Sequence, residues 1–336
     1  MMNYEMFRGV VENEFKNYLG EGFKDTKIEV VPQFRVNEKK DAIVIIEKDG
    51  SNYMGMSPVI YVDDLFRMYN SSGDLKKTLN FAADLMKAGF DRKDSILSMT
   101  ENVDKFMDIV VLQLINTNQN KELLADVPHK DFCDLSVIYR MVLSESDDHV
   151  YSAIVTNKMV EALKLNPDEL FRKAVENTKR INPVVISSMN DVMGMMFSEQ
   201  EVPDEITNFL VNDVPPENMM YIMTNKRGIN GAVSMIFQDE LHKLAEKLGD
   251  DLYILPSSLH EVIVITASGK DPRELADMVY TINGAQVAPE DRLSNQVYHY
   301  DKLNRKLTMA ADIPERPLIE EVAEAKQEYK VSGPKL

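Results

Sequence analysis

The segment DLYILPSSLHEVIVIT, residues 251–266, constrains the fold more than any other. Two short runs of β-branched and large apolar residues stand only a few polar positions apart. A connection that short returns the second run antiparallel to the first, because a parallel neighbour needs a crossover of about a dozen residues or more. The same grammar recurs along the chain. DLSVIYRMVL and HVYSAIVTN flank the acidic turn SESDD, and KIEVVPQFRV and DAIVIIEKDGSNYMGM flank the polar turn NEKK. Further strands are expected at FMDIVVLQLIN, MMYIMTN, QVYHYD and KLTMAA. Strands adjacent in sequence and joined by short turns favour an antiparallel sheet with helices packed on one side.

Helical periodicity fills the intervals. Residues 4–19 place Phe7, Val10, Val11, Phe15 and Leu19 near helical spacing. YVDDLFRMYN and GDLKKTLNFAADLMKAGF follow as helices, with Leu75, Leu79, Ala82 and Met86 on one face of the second and Gly89 placed to end it. In NPDELFRKAVENTKRI, Asn166 is a cap, Pro167 suits the first turn and Glu169 completes a capping box. DPRELADMVYTING repeats that grammar with Asp271, Pro272 and Glu274. The expected fold is α+β: a small N-terminal α/β unit over 1–127, then a larger unit over 128–312 built on a mainly antiparallel sheet. Pro128 marks the boundary, and residues 313–336, where prolines alternate with charge, form a loosely held tail.

Composition narrows the function classes. The opening stretch MMNYEMFRGVVENEFKNYLG has acidic residues and no apolar core, so no signal peptide is expected. No run of about 18 apolar residues occurs, so no membrane span is expected. The single Cys133 makes no internal disulfide and fits a reducing cytoplasm. A net charge of −17 repels nucleic-acid phosphates, so direct nucleic-acid binding is not expected. An acidic nucleic-acid mimic is an alternative, although the acids are interleaved with lysines rather than gathered in blocks.

Ser257, Ser258, His260 and Glu261 bring a nucleophile, a base and a carboxylate within five positions. On a strand, Ser258 and His260 share a face while Glu261 points away, so a triad would need an acid from elsewhere. No G-x-S-x-G elbow exposes a serine. The competing reading is a turn whose serines bond its own backbone, with His260 at a strand edge. Among the histidines His129, His149, His242, His260 and His299 no H-E-x-x-H occurs. Asp239, His242 and Glu246 share one helical face at a spacing that can hold a metal, but Lys243 and Lys247 alternate with them as on a solvated face. NKRGINGA contains G-x-x-G beside two basic residues, yet it follows a strand, and an Asn230-Gly231 turn explains it. Asp41, Glu47 and Lys48 resemble a nuclease strand, but Glu47 and Lys48 are adjacent and point oppositely. Met189, Met193, Met195 and Met196 concentrate soft apolar side chains suited to a core or to varied partners.

The stretches PHKDFCDLSVIYRMV, PDELFRKAVENTKR, YIMTNKRGINGA, LYILPSSLHEVIVI and LSNQVYHYD together resemble a bacterial protein family catalogued only as a domain of unknown function. The resemblance implies a cytoplasmic protein of bacterial or mobile-element origin, and it supplies no catalytic residues. The sequence points to a non-enzymatic cytoplasmic module that binds another protein, with no cofactor. The rival reading is a serine hydrolase using Ser258 and His260 with a distant acid.

Overall fold

An amphipathic helix followed by a hairpin begins the chain. In the computed structural model, which describes residues 2–46, 58–91, 102–145, 150–199, 219–256, 258–310 and 318, α1 (Tyr4–Glu14) and α2 (Lys16–Leu19) bury Phe7, Val11, Phe15 and Leu19. Asn3 caps α1 by accepting from the Met6 amide at 2.9 Å. β1 (Lys27–Arg35) and β2 (Glu38–Ile46) pair antiparallel, and β3 (Ile60–Tyr61) adds to β2. α3 (Val62–Ser72) and α4 (Leu75–Asp91) close a first hydrophobic cluster that runs from Phe7 to Met86. Gly89, expected to end α4, lies inside it. A Cβ there would come 2.7 Å from the Pro58 Cβ, so the glycine answers close packing rather than a turn.

The second cluster begins at Phe106. Residues 106–116, read as one strand, divide into α5 (Val103–Ile109) and β4 (Val110–Asn116). Asn102 caps α5 through the Lys105 amide at 3.1 Å, and the β-branched pair Val110-Val111 opens the strand. α6 (Lys121–Asp126) leads into β5 (His129–Phe132), β6 (Leu135–Glu145) and β7 (Val150–Ile154). β6 is central, with β4 along one side and β5 and β7 along the other. β4 and β6 lie on opposite sides of Pro128 in sequence and form one ladder, and Val36 of the first hairpin also packs against this second cluster.

After α7 (Asn157–Ala162), α8 (Pro167–Ile181) covers the outer edge of β4. Asn177 Nδ2 donates to the Met107 and Val110 carbonyls at 2.7 and 2.9 Å, and Thr178 Oγ1 accepts from the Leu112 amide at 2.9 Å. These side chains satisfy backbone groups that an exposed edge would leave to water or to another chain. Asn166 caps α8 as the sequence predicts, accepting from the Asp168 and Glu169 amides at 2.9 and 3.1 Å. Asn166→Ala is expected to cost about 1 kcal/mol, the usual scale of an N-cap, and to lower the thermal midpoint measurably.

A third sheet completes the fold. β8 (Val184–Ser188), α9 (Met189–Glu199), β9 (Tyr221–Asn225), α10 (Gln238–Leu248), β10 (Leu252–Pro256), β11 (Val262–Thr266), α11 (Pro272–Gln286), β12 (Tyr298–Asp301) and β13 (Lys306–Met309) follow in order. Six strands pair antiparallel in the order β13-β12-β10-β11-β9-β8. Leu252, Ile254, Val262 and Val264 face the large cluster, while Leu255 and Ile265 face α11 through Ala276 and Val279. The chain is an α+β protein with antiparallel sheets. Among the described residues no helix is long and apolar enough to cross a membrane. Most of the expected tail lies outside the described residues. Leu318 is buried, and its carbonyl accepts from Arg292 Nη1 at 2.9 Å.

Candidate functional site

Residues 258–261, ahead of β11, form a turn, and Ser257 lies outside the described residues. β11 starts only at Val262, so strand alternation does not govern Ser258, His260 and Glu261. The Ser258 amide donates to the Glu261 carbonyl at 3.2 Å, and Ser258 Oγ accepts from the His260 amide at 3.0 Å. The Ser258 hydroxyl donates its one proton to Glu261 Oε1 at 3.0 Å. Glu261, expected on the face opposite Ser258, therefore meets it across the turn.

His260 is held from both sides. Its Nδ1 accepts from the Asn230 amide at 3.2 Å, and its Nε2 lies 3.3 Å from Asp291 Oδ1. A backbone amide only donates, so the ring hydrogen sits on Nε2 and points at Asp291. The distant acid that a triad requires is present, but the ring lone pair that would take a serine proton is already used. Among the described residues no hydrogen bond joins Ser258 Oγ to the His260 ring.

The Asn230 amide belongs to the G-x-x-G loop. Asn225 organises that loop, accepting from the Arg227 amide at 2.9 Å and donating to the Ile229 carbonyl at 2.8 Å. Asn230 takes the left-handed conformation, φ 52°, and leads into a 3-10 stretch, Gly231–Ile236. The motif thus joins a strand to a 3-10 helix and does not have the helix-to-helix setting of a backbone clamp.

From Asn230 a polar line crosses into the four-stranded sheet. Gln113 Nε2 donates to Asn230 Oδ1 at 3.0 Å, and Arg140 Nη1 donates to Gln113 Oε1 at 3.1 Å. Arg140 Nε and Nη2 reach Ser152 Oγ at 3.1 and 2.8 Å. Among the described residues no carboxylate pairs with Arg140. Burial, reinforced by the Arg35 charge, pushes the Arg140 guanidinium down to about 10. Sequence reasoning did not single out Gln113, Arg140 or Ser152. The available signal was one polar residue inside each of the apolar runs VVLQLIN and SVIYRMVL.

Asp239, His242 and Glu246 lie on α10, and Glu246 Oε1 approaches His242 Nε2 at 3.4 Å. That approach lacks hydrogen-bond geometry, and both His242 ring nitrogens are buried without a partner among the described residues. Among the described residues no group of three or more His, Cys, Asp or Glu side chains gathers as a metal-ligand set. His129 Nδ1 contacts the Val127 carbonyl at 3.0 Å, and Cys133 is exposed. Next to that thiol, Asp134 accepts from Tyr298 Oη at 2.5 Å and from Ser294 Oγ at 2.6 Å, tying the β5–β6 turn to β12. Asp41 on β2 accepts from Arg8 Nε at 2.9 Å and Tyr4 Oη at 3.1 Å, while Glu47 and Lys48 lie outside the described residues. Met195 is exposed on α9.

The fold and this internal polar line define an α+β protein whose candidate catalytic groups are engaged with one another. The chain belongs to a family of unknown function, DUF5688, whose model matches residues 4–302. No curated protein and no solved structure matches the chain.

Proposed function

We propose that the chain is a non-catalytic module of the cytoplasm that works by binding another protein. The observation that carries this reading is a pair of exposed apolar side chains one turn apart on α4. Phe81 and Leu85 are 45% and 47% exposed on a helix whose opposite face fills the N-terminal core. Rings and branched chains adjoining on a surface favour a protein partner. The double variant Phe81→Lys, Leu85→Lys is expected to keep the wild-type melting transition and to lose a partner that wild type cross-links in extracts of its native cell. Retention of that partner by the variant would move the surface elsewhere.

One observation favours the serine hydrolase as a second reading: Asp291 lies within reach of His260. The two readings predict opposite results. For the binding module, His260→Ala costs about 1 to 2 kcal/mol, because it leaves the Asn230 amide without its acceptor, and Ser258→Ala costs less. No label enters from a serine-directed fluorophosphonate. Stoichiometric labelling of Ser258, abolished by His260→Ala, would establish the hydrolase instead.

A further inference from the structure

We propose that the cleft between the G-x-x-G loop, the C-terminal end of α8 and the face of β4, β6 and β7 binds a small oxyanion, the phosphate or carboxylate group of a ligand. The cleft has room of about 40 Å³ and is lined by Ser152, Asn182, Arg227 and Asn230 over an apolar floor that includes Val111 and Val142. None of its lining residues is acidic, in a chain whose acids outnumber its bases 55 to 38.

Arg140 sets the polarity of this cleft from behind. A guanidinium has only donors, so Gln113 must turn Oε1 toward it and Nε2 toward Asn230. Asn230 must then offer Oδ1 to Gln113, which leaves its amide N–H₂ as the free end. Ser152 Oγ accepts twice from Arg140, so its one proton is directed away from the guanidinium. Among the described residues nothing accepts from the Ser152 hydroxyl or from Asn230 Nδ2. Arg140 therefore forces donors outward on both sides, and Arg227 adds a guanidinium to the lining itself. The apolar floor strengthens any charge-assisted bond made there. Room on this scale exceeds that of one water and admits one oxyanion group, so a larger ligand would enter by that end alone.

The test is a calorimetric titration of the full chain with inorganic phosphate and, separately, with acetate at low ionic strength. Saturable binding of either at about 1 mM or tighter is expected, and the preferred probe identifies the group. Ser152→Ala is expected to weaken binding about tenfold, the scale of one charge-assisted hydrogen bond, and to lower the ligand-free melting transition because Arg140 loses its acceptor. Arg227→Gln, on a surface loop, is expected to weaken it several-fold and provides a second variant. Absence of saturable binding by either probe would overturn the proposal, as would binding that both variants leave intact.

Discussion

Asn37→Ala is expected to lower the unfolding free energy by about 4 kcal/mol, although Asn37 lies in what reads as a solvated hairpin turn. The residue is buried at the tip between β1 and β2, with φ 64°. Its side chain reaches residues 120, 290 and 292. Nδ2 donates to the Glu290 and Arg292 carbonyls at 3.0 and 2.6 Å, and Oδ1 accepts from Asn120 Nδ2 at 2.9 Å. The Asn37 amide completes the exchange by donating to Asn120 Oδ1 at 2.7 Å. Alanine removes the three side-chain bonds, each worth about 1 kcal/mol, and leaves their buried partners unmet. It also puts a Cβ without compensation into the left-handed region, at about 1 kcal/mol. Asn37→Gly separates the two contributions, since it relieves the backbone and still loses the bonds. It should therefore cost about 3 kcal/mol in urea denaturation. A glycine variant as stable as wild type would show that these hydrogen bonds contribute nothing net. The loss should also couple to His260→Ala, because Asn37 grips residues 290 and 292 on either side of the carboxylate that meets His260.

The elements legible in the sequence are those specified by neighbours in the chain. Asn166-Pro167 and Asp271-Pro272 begin α8 and α11 because a cap and a proline act within one turn. The β10–β11 pairing was legible because its connection is too short for any other return. Where remote residues decide, local reading stopped short. Gly89 has the form of a helix end but answers Pro58, and residues 103–109 take a helix whose last carbonyls are met by Asn177 of α8. Pro128 interrupts periodicity without separating the core, because β4 and β6 meet across it. At Ser258–Glu261 strand alternation does not apply, because a turn held by the Ser258 hydroxyl brings Glu261 to the same side as Ser258. The line from Asp291 to Ser152 spans six residues that only the pairing of distant strands brings together.

Gly231→Ala is expected to be the most destabilising single substitution in the G-x-x-G loop, at about 3 kcal/mol or more. A Cβ at this position would lie 2.2 Å from Thr224 Oγ1, 2.5 Å from the His260 carbonyl oxygen and 2.7 Å from the Asn225 amide nitrogen. Two of these atoms are backbone, and the third already donates to the His260 carbonyl at 2.7 Å. No flexible side-chain end is available to move. Relief requires either that the loop withdraw, pulling the Asn230 amide from His260 Nδ1, or that the turn after β10 separate from β9. Gly228 supplies the control within the same motif. It has φ +65° with nothing among the described residues within 4 Å of an added Cβ, so Gly228→Ala meets backbone strain. That strain is worth about 1 to 2 kcal/mol. Parallel urea denaturation of the two variants tests the assignment. A Gly231→Ala protein no less stable than Gly228→Ala would mean that close packing at the junction of β9 and the His260 turn does not require the glycine.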